Sequence, residues 1–159
     1  MIALTKDAWL NNGVYIKKCA FMRIFFVLRK RGEKMKKEII TKNAPEAIGC
    51  YSQAVEVGNT VYLSGQIPLN PATMTIVDGG IKAQITQVFD NLKEVAIASG
   101  ADLNGVVKLT VYLTDIAHLQ YVNEIMVNYF INPYPARTSF VVVALPKAAM
   151  IEIDAILVK

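Results

Sequence analysis

The C-terminal end of the chain constrains its fold most, because apolar and polar side chains alternate there through two successive segments. Residues 137–144 and 149–158 both show the period of two that is typical of β-strands, and Leu145-Pro146-Lys147-Ala148 separates them. A turn of even length, centred between Pro146 and Lys147, predicts an antiparallel hairpin in which opposed side chains share one face of the sheet.

The register of this predicted hairpin separates an apolar face from a mixed one. The apolar face, which suits packing against helices, collects Thr138, Phe140, Val142, Ala144, Ala149, Ile151, Ile153, Ala155 and Leu157. The mixed face collects Arg137, Ser139, Val141, Val143, Met150, Glu152, Asp154 and Ile156. Such a face is a poor surface for a monomer, so we expect self-association to cover it. Arg137, Glu152 and Asp154 would then lie in a cleft between subunits, where charged groups persist only if they are paired or bind a ligand.

Strand and turn signals occur earlier in the chain as well. Residues 39–41, 54–57 and 60–64 form short runs of β-type sequence, and Gly58-Asn59 between the last two runs predicts a tight hairpin turn. A further run at 106–113 is rich in β-branched and aromatic residues, which favours another strand.

Two amphipathic helices are predicted between these strands. The first ends at Gly100, and its apolar stripe is Ile81, Ile85, Val88, Phe89, Leu92, Val95 and Ala96. The second follows Asp115, a typical N-cap residue, and its stripe is Leu119, Val122, Met126, Tyr129 and Phe130. Pro133 and Pro135 must end it. The order predicts one α+β domain in which both helices cover one face of a sheet.

The positive charge of the chain is concentrated in residues 1–34. This segment holds 8 Lys and Arg against 2 Asp and Glu, whereas residues 35–159 hold 9 against 11. A nucleic-acid-binding domain usually carries its positive charge on the folded body. We therefore expect no nucleic-acid partner, despite the formal net charge of +4.

We interpret residues 1–34 as a basic leader and residues 35–159 as the domain. The apolar stretch at 19–28 contains Arg23 and is shorter than the roughly 20 apolar residues of a membrane span, so we expect no such span. Neither a secretory cleavage site nor a Ser-rich transit sequence is present.

Residues 30–34, just before Met35, can all be encoded by purine-only codons, and Arg31-Gly32-Glu33 can encode a purine-rich ribosome-binding sequence. We therefore expect native translation to start at Met35, the alternative being a basic arm for anionic surfaces. Mass spectrometry of the native N-terminus tests this, since a peptide containing Trp9 would contradict it.

Cysteine and histidine usage excludes several kinds of site. The chain has two cysteines, Cys19 and Cys50, and one histidine, His118. These numbers exclude a disulfide-dense secreted scaffold and a Cys-based zinc motif, and they give little support to a His-ligated metal site or a protease-like triad. We expect a reducing compartment, the cytoplasm.

Several ordered blocks in residues 35–159 match a known family. They are Asn43-Ala44-Pro45, Ala47 to Ala54, Ser64 to Pro68, Asn91-Leu92-Lys93, Tyr121-Val122-Asn123, Pro135 to Ser139, Leu145-Pro146-Lys147 and Ile151 to Ala155. On these blocks the chain resembles the RidA/YjgF family of enamine/imine deaminases. The resemblance implies a chorismate-mutase-like α+β fold, a homotrimer whose sheets form a central barrel, and three clefts between subunits.

The resemblance also implies an activity, which is hydrolysis of 2-imino acids or their enamine tautomers to 2-keto acids and ammonia. The implied substrates are small acids such as 2-iminobutanoate and 2-iminopropanoate. Carried over by motif, the planar guanidinium of Arg137 holds the substrate carboxylate, and Glu152 positions the attacking water and shuttles protons. The residues that line the cleft and orient the ligand are Tyr51, Ser64, Gly65, Asn123 and Ser139. No metal or organic cofactor is implied, because the imine carbon is already electrophilic.

The chain departs from the family pattern at three places. Cys50 stands where a proline is common, which predicts a less rigid loop before Tyr51. Ser139 stands where many members have cysteine, which favours attack by water over a covalent thiol intermediate. The loop at 132–134 looks short, which affects the predicted shape of the cleft.

Alternatives to catalysis stay open at this point. Glu152 is also suited to be an ion-pair partner of Arg137, in a trimer that binds 2-keto acids for regulation without catalysis. An RNA-directed role, as an endoribonuclease or translation inhibitor, is disfavoured by the net charge of residues 35–159.

Overall fold

A computed structural model describes residues 36–159 of the chain. The expectations for the leader at 1–34 lie outside these residues. Within the described residues, no helix is both long enough and apolar enough to cross a membrane.

The described residues fold into one mixed sheet of six strands with two α-helices. The strands are β1 (Lys37–Ile39), β2 (Ala54–Val57), β3 (Thr60–Gln66), β4 (Val106–Leu113), β5 (Ala136–Val141) and β6 (Ile151–Val158), and the helices are α1 (Gly80–Ala98) and α2 (Leu119–Met126). The spatial order of the strands is β1-β2-β3-β6-β4-β5. β4 and β5 run parallel, whereas the other neighbours are antiparallel. The predicted α+β class is confirmed.

The hydrophobic core lies between the two helices and one face of the sheet. The predicted stripe of α1 is buried from Ile85 to Ala96, and Val122 and Met126 of α2 join the same cluster. α2 ends at Met126 and is therefore shorter than predicted. Phe130 is nevertheless buried, and the turn that holds it there is closed by a hydrogen bond from its backbone N–H to the Met126 carbonyl.

The predicted C-terminal hairpin is wrong. β5 and β6 do not pair with each other; both pair with β4, which lies between them. The segment between β5 and β6 contains a 3₁₀ turn in which Lys147 and Ala148 have φ angles of 55° and 56°. Alternation along a strand determines which side chains share a face, but it does not determine which strand is the neighbour.

This correction moves Arg137 to the other side of the sheet. Arg137 lies beside Leu109 of β4, and Leu109 is fully buried under the helices. Glu152 lies beside Tyr112 of β4, on the opposite face. Because paired residues share a face, Arg137 and Glu152 of one chain are separated by the sheet, and the prediction that they share a face is wrong.

We call the side of the sheet that faces away from the helices the open face. It presents Tyr62, Ser64, Thr110, Tyr112, Thr138, Phe140, Glu152, Asp154 and Ile156. As predicted, this face mixes apolar and charged groups, and Tyr62 and Phe140 are each 51% exposed on it. β6 contributes to it the residues that were predicted, whereas the two faces of β5 are exchanged relative to the prediction.

Candidate functional site

A cleft of about 710 Å³ opens beside β3 and the start of β6. Four of the residues predicted to form the site line it, namely Tyr51, Ser64, Gly65 and Glu152. Sequence reasoning missed Lys147, which also lines the cleft and donates a hydrogen bond from Nζ to the Met74 carbonyl at 3.2 Å.

A bulge in β3 brings the backbone of Gly65 against Glu152. Leu63 lies opposite Ala155 and Gln66 lies opposite Ile153, so two residues of β3 face a single residue of β6. A Cβ atom added at Gly65 would lie 2.9 Å from Cδ of Glu152, closer than real Cβ contacts. Any residue larger than glycine at position 65 would therefore displace the Glu152 carboxyl group from its present position.

The surroundings of Glu152 favour its protonated form. Burial raises the pKa of the Glu152 carboxyl group above its ordinary value, and the negative charge of Asp154 adds to the effect. Asp154 is held in place by the Tyr112 hydroxyl, which donates a hydrogen bond to Oδ2 at 3.0 Å. A carboxyl group whose pKa is raised toward neutrality is suited to both accept and donate a proton.

A buried amide holds the loop that precedes Tyr51. Gln53 is 4% exposed, and its Oε1 accepts a hydrogen bond from the Thr41 N–H at 2.7 Å. Its Nε2 lies within donating distance of the carbonyls of Thr41, Ala44 and Pro45. The Tyr51 hydroxyl, in turn, accepts from the Ile48 N–H at 3.2 Å. These bonds restrain the loop, although Cys50 stands where the family resemblance predicts a proline. Sequence reasoning missed this role of Gln53.

The remaining predicted residues form a second group on the helix-covered side of the sheet edge. Nη1 of Arg137 donates a hydrogen bond to Oδ1 of Asn123 at 2.8 Å and lies 3.7 Å from the sulfur of Met126. Ser139 is two residues along β5 from Arg137, so its side chain lies on the same face. Arg137 and Ser139 are both half-buried.

One chain therefore carries two half-sites. The cleft half-site contains Tyr51, Ser64, Gly65 and Glu152, and the arginine half-site contains Asn123, Arg137 and Ser139. No ion pair joins Arg137 to Glu152 within residues 36–159. In the same residues, no three His, Cys, Asp or Glu side chains are grouped to hold a metal ion.

The chain is similar to proteins of one family in sequence and in structure. The sequence model of the family described as Endoribonuclease L-PSP matches residues 41–159. A RutC family protein of Pyrococcus horikoshii is 47% identical over 125 residues, which cover 79% of this chain and 99% of that protein. The 2-iminobutanoate/2-iminopropanoate deaminase of Mus musculus is 46% identical over 125 residues, which cover 79% of this chain and 93% of that protein.

A solved structure extends this similarity to the fold. RidA from the Antarctic bacterium Psychrobacter sp. PAMC 21119 is 49% identical and superposes with a TM-score of 0.75, over 77% of this chain and 99% of that one. Both the sequence match and the shared fold cover most of the chain, which therefore belongs to the RidA/YjgF family.

Proposed function

We propose that this protein hydrolyses reactive 2-imino acids and their enamine tautomers, such as 2-iminobutanoate and 2-iminopropanoate, to 2-keto acids and ammonia. The names of relatives such as the mouse deaminase support this reaction. The observation that carries the proposal is a half-buried carboxyl group, Glu152, with a raised pKa in a cleft on the open face. The low cysteine content supports the cytoplasm as the compartment.

We propose further that each active site combines half-sites from two copies of the chain. A three- or four-carbon acid is too small to reach across a sheet and touch both Arg137 and Glu152 of one chain. The cleft half-site of one copy must therefore meet the arginine half-site of another. The exposed Tyr62 and Phe140 on the open face support such self-association, because exposed apolar groups of this kind mark interaction surfaces.

A ring of copies satisfies this requirement. If each copy gives its arginine half-site to one neighbour and its cleft half-site to the other, the interface is head-to-tail and closes by rotation. We propose a homotrimer with a chorismate-mutase-like central barrel, and the number three comes from the family resemblance.

In the proposed mechanism, Arg137 of one copy binds the substrate carboxylate and Glu152 of the next copy acts on water. The guanidinium fixes the acid in a bidentate contact, with Asn123 holding the guanidinium in place. The substrate reacts as the protonated imine, and Glu152 accepts a proton as the water oxygen bonds to the imine carbon, which gives a neutral tetrahedral amino alcohol. Glu152 then returns this proton to nitrogen. As the carbon–nitrogen bond breaks and the carbonyl forms, the hydroxyl proton passes to the Glu152 carboxylate and from there to ammonia, so that the keto acid and ammonium leave.

The family description as an endoribonuclease raises an RNA-directed role as the second candidate. Residues 35–159 hold 9 basic and 11 acidic groups, which is unfavourable for contacts with phosphates. If residues 35–159 cleaved RNA with a steep salt dependence and without contaminating nuclease, that role would replace imine hydrolysis as the primary function.

Arg137→Lys tests the proposed contact with the substrate carboxylate. Lysine keeps the charge but loses the planar fork, so we expect the KM for 2-iminopropanoate to rise about tenfold. The measurement is the rate of 2-keto acid formation from imine that a pyridoxal-phosphate dehydratase generates from serine. Calorimetry with 2-ketobutanoate provides the control, since Arg137→Lys should weaken its binding in parallel. An unchanged KM would contradict the assigned role of Arg137.

A further inference from the structure

Helix α1 carries two buried amide side chains that the proposed mechanism does not use. Gln84 is 5% exposed and Asn91 is 1% exposed. They are seven residues apart, about two turns, so they lie on the same side of the helix. Both bond to backbone groups outside the helix, and each of those groups belongs to a segment next to the cleft.

Gln84 fixes the start of β6. Its Oε1 accepts a hydrogen bond from the Met150 N–H at 2.9 Å. The Met150 carbonyl accepts another from the Thr114 N–H at 3.1 Å, just after β4. Both backbone polar groups of Met150 are thus bonded, and Glu152 is only two residues further along the chain. Because only one residue separates Met150 from Glu152 along the extended chain, any shift of Met150 would also move Glu152.

The segment before Met150 gives a physical reason for this restraint. Lys147 and Ala148 both have left-handed backbone conformations, with φ near 55°. Non-glycine residues adopt such conformations only where the surrounding structure holds them. Lys147 also lines the cleft. The Gln84 bond lies where this strained turn joins the strand that carries Glu152.

Asn91 restrains the opposite wall of the cleft in the same way. Its Nδ2 lies 3.0 Å from the Leu69 carbonyl and 3.3 Å from the Ile67 carbonyl. Ile67 and Leu69 line the cleft and follow the bulge at Gly65. Nε2 of Gln87 donates to Oδ1 of Asn91 at 2.8 Å, which fixes the orientation of the amide.

We propose that Gln84 and Asn91 are positioning residues that hold the two walls of the cleft from behind the sheet, so that the Glu152 carboxyl group stays against the backbone of Gly65. Neither residue touches the substrate. This inference rests on the proposed function, because it assigns the consequence to Glu152. Substrate binding through Arg137 is unaffected, since the arginine half-site has no bond to either amide.

Gln84→Met tests the inference most directly, because methionine has a similar length but no amide oxygen. We expect kcat for 2-iminopropanoate to fall about 10- to 100-fold, while KM stays within about twofold. Gln84→Glu retains an acceptor for the Met150 N–H and should recover most of kcat. The full chain is used, at a temperature where each variant is folded by circular dichroism.

Val95→Ala serves as the control for a loss of stability alone. Val95 is fully buried on the same helix, but its side chain holds no wall of the cleft. This variant should be less stable and keep the wild-type kcat. If folded Gln84→Met also keeps the wild-type kcat, the positioning role is wrong. If Gln84→Met does not fold, Gln84→Asn replaces it, because its side chain is one methylene too short to reach Met150.

Two parallel measurements separate this inference from the proposed function. Absence of imine turnover by the wild type would contradict the proposed function, whereas an impaired Glu152→Gln together with a normal Gln84→Met would contradict only the positioning role. A crystal structure of Gln84→Met gives a readout that needs no activity. It should show the Glu152 carboxyl group displaced from Gly65, and an unmoved carboxyl group would overturn the inference.

Discussion

Replacing Glu152 with Gln is expected to lower kcat for 2-iminopropanoate hydrolysis by about 10²- to 10⁴-fold, the usual contribution of general acid–base catalysis. Glutamine has nearly the same shape, so the walls of the cleft and the contact with Gly65 are kept. It cannot accept a proton from water, however, or return one to nitrogen. KM should change little, because the proposed mechanism assigns the substrate carboxylate to Arg137 and not to Glu152. Steady-state kinetics with freshly generated imine measures both parameters.

The pH dependence of kcat provides a second readout of the same variant. Burial and the charge of Asp154 raise the pKa of Glu152, so activity that needs the carboxylate form should decline on acidification with a midpoint above the ordinary value of about 4.3. In the proposed substrate complex, the charge of Arg137 would be balanced by the substrate carboxylate, which leaves the direction of the Glu152 pKa shift unchanged. The acidic limb should be absent from the profile of Glu152→Gln.

Glu46→Gln is the matched control for this substitution. Glu46 borders the same cleft but is exposed, and the proposed mechanism gives it no part in proton transfer. Its kcat should remain near that of the wild type. If Glu152→Gln also retained full turnover while Arg137→Lys was impaired, Glu152 would have no catalytic role. If instead the wild type bound 2-keto acids but showed no imine turnover, a binding protein without catalysis would be the better interpretation.

Local signals in the sequence predicted much of the fold. The Gly58-Asn59 turn fixed the β2–β3 hairpin, in which Val57 pairs with Thr60. The run at 106–113 became β4 with the predicted bounds. The stripe of α1 was correct because a period of 3.6 residues is unambiguous over five turns and Gly100 follows with a φ of 85°. In each case, neighbours in sequence determine the structure.

The position of β5 could not be predicted in this way. A strand next to β6 and a strand beyond β4 have the same period of two, and the choice between them depends on contacts that are distant in sequence. The family resemblance named Arg137 and Glu152 as candidate site residues without indicating which face each occupies. The amides of Gln53, Gln84 and Asn91 were also missed. Gln53 and Asn91 lie in blocks that match the family, but a match assigns no role to them. The only other signal of the three amides was a polar residue within or beside an apolar pattern, which is equally typical of an exposed position.

The separation of Arg137 from Glu152 leads to a prediction about mixed assemblies. Arg137→Ala and Glu152→Gln should each be nearly inactive when assembled alone. When the two variants are unfolded together in equal amounts and refolded, about a quarter of the sites should receive an intact arginine half-site from one copy and an intact cleft half-site from another. Activity should therefore return to about a quarter of the wild-type level. The same proteins combined without exchange of subunits should stay inactive.

The double variant, with Arg137→Ala and Glu152→Gln in one chain, provides the decisive comparison when it is mixed with wild type in equal amounts. If each site draws on two copies, both of them must be wild type, and about a quarter of the sites are intact. If both residues served the same site from one chain, about half would be intact, and the two single variants could not restore each other. A site shared between two copies is supported if the two single variants recover activity together and the mixture of double variant and wild type retains about a quarter of the activity. If the single variants do not recover activity and the mixture with wild type retains about half, one chain supplies both groups.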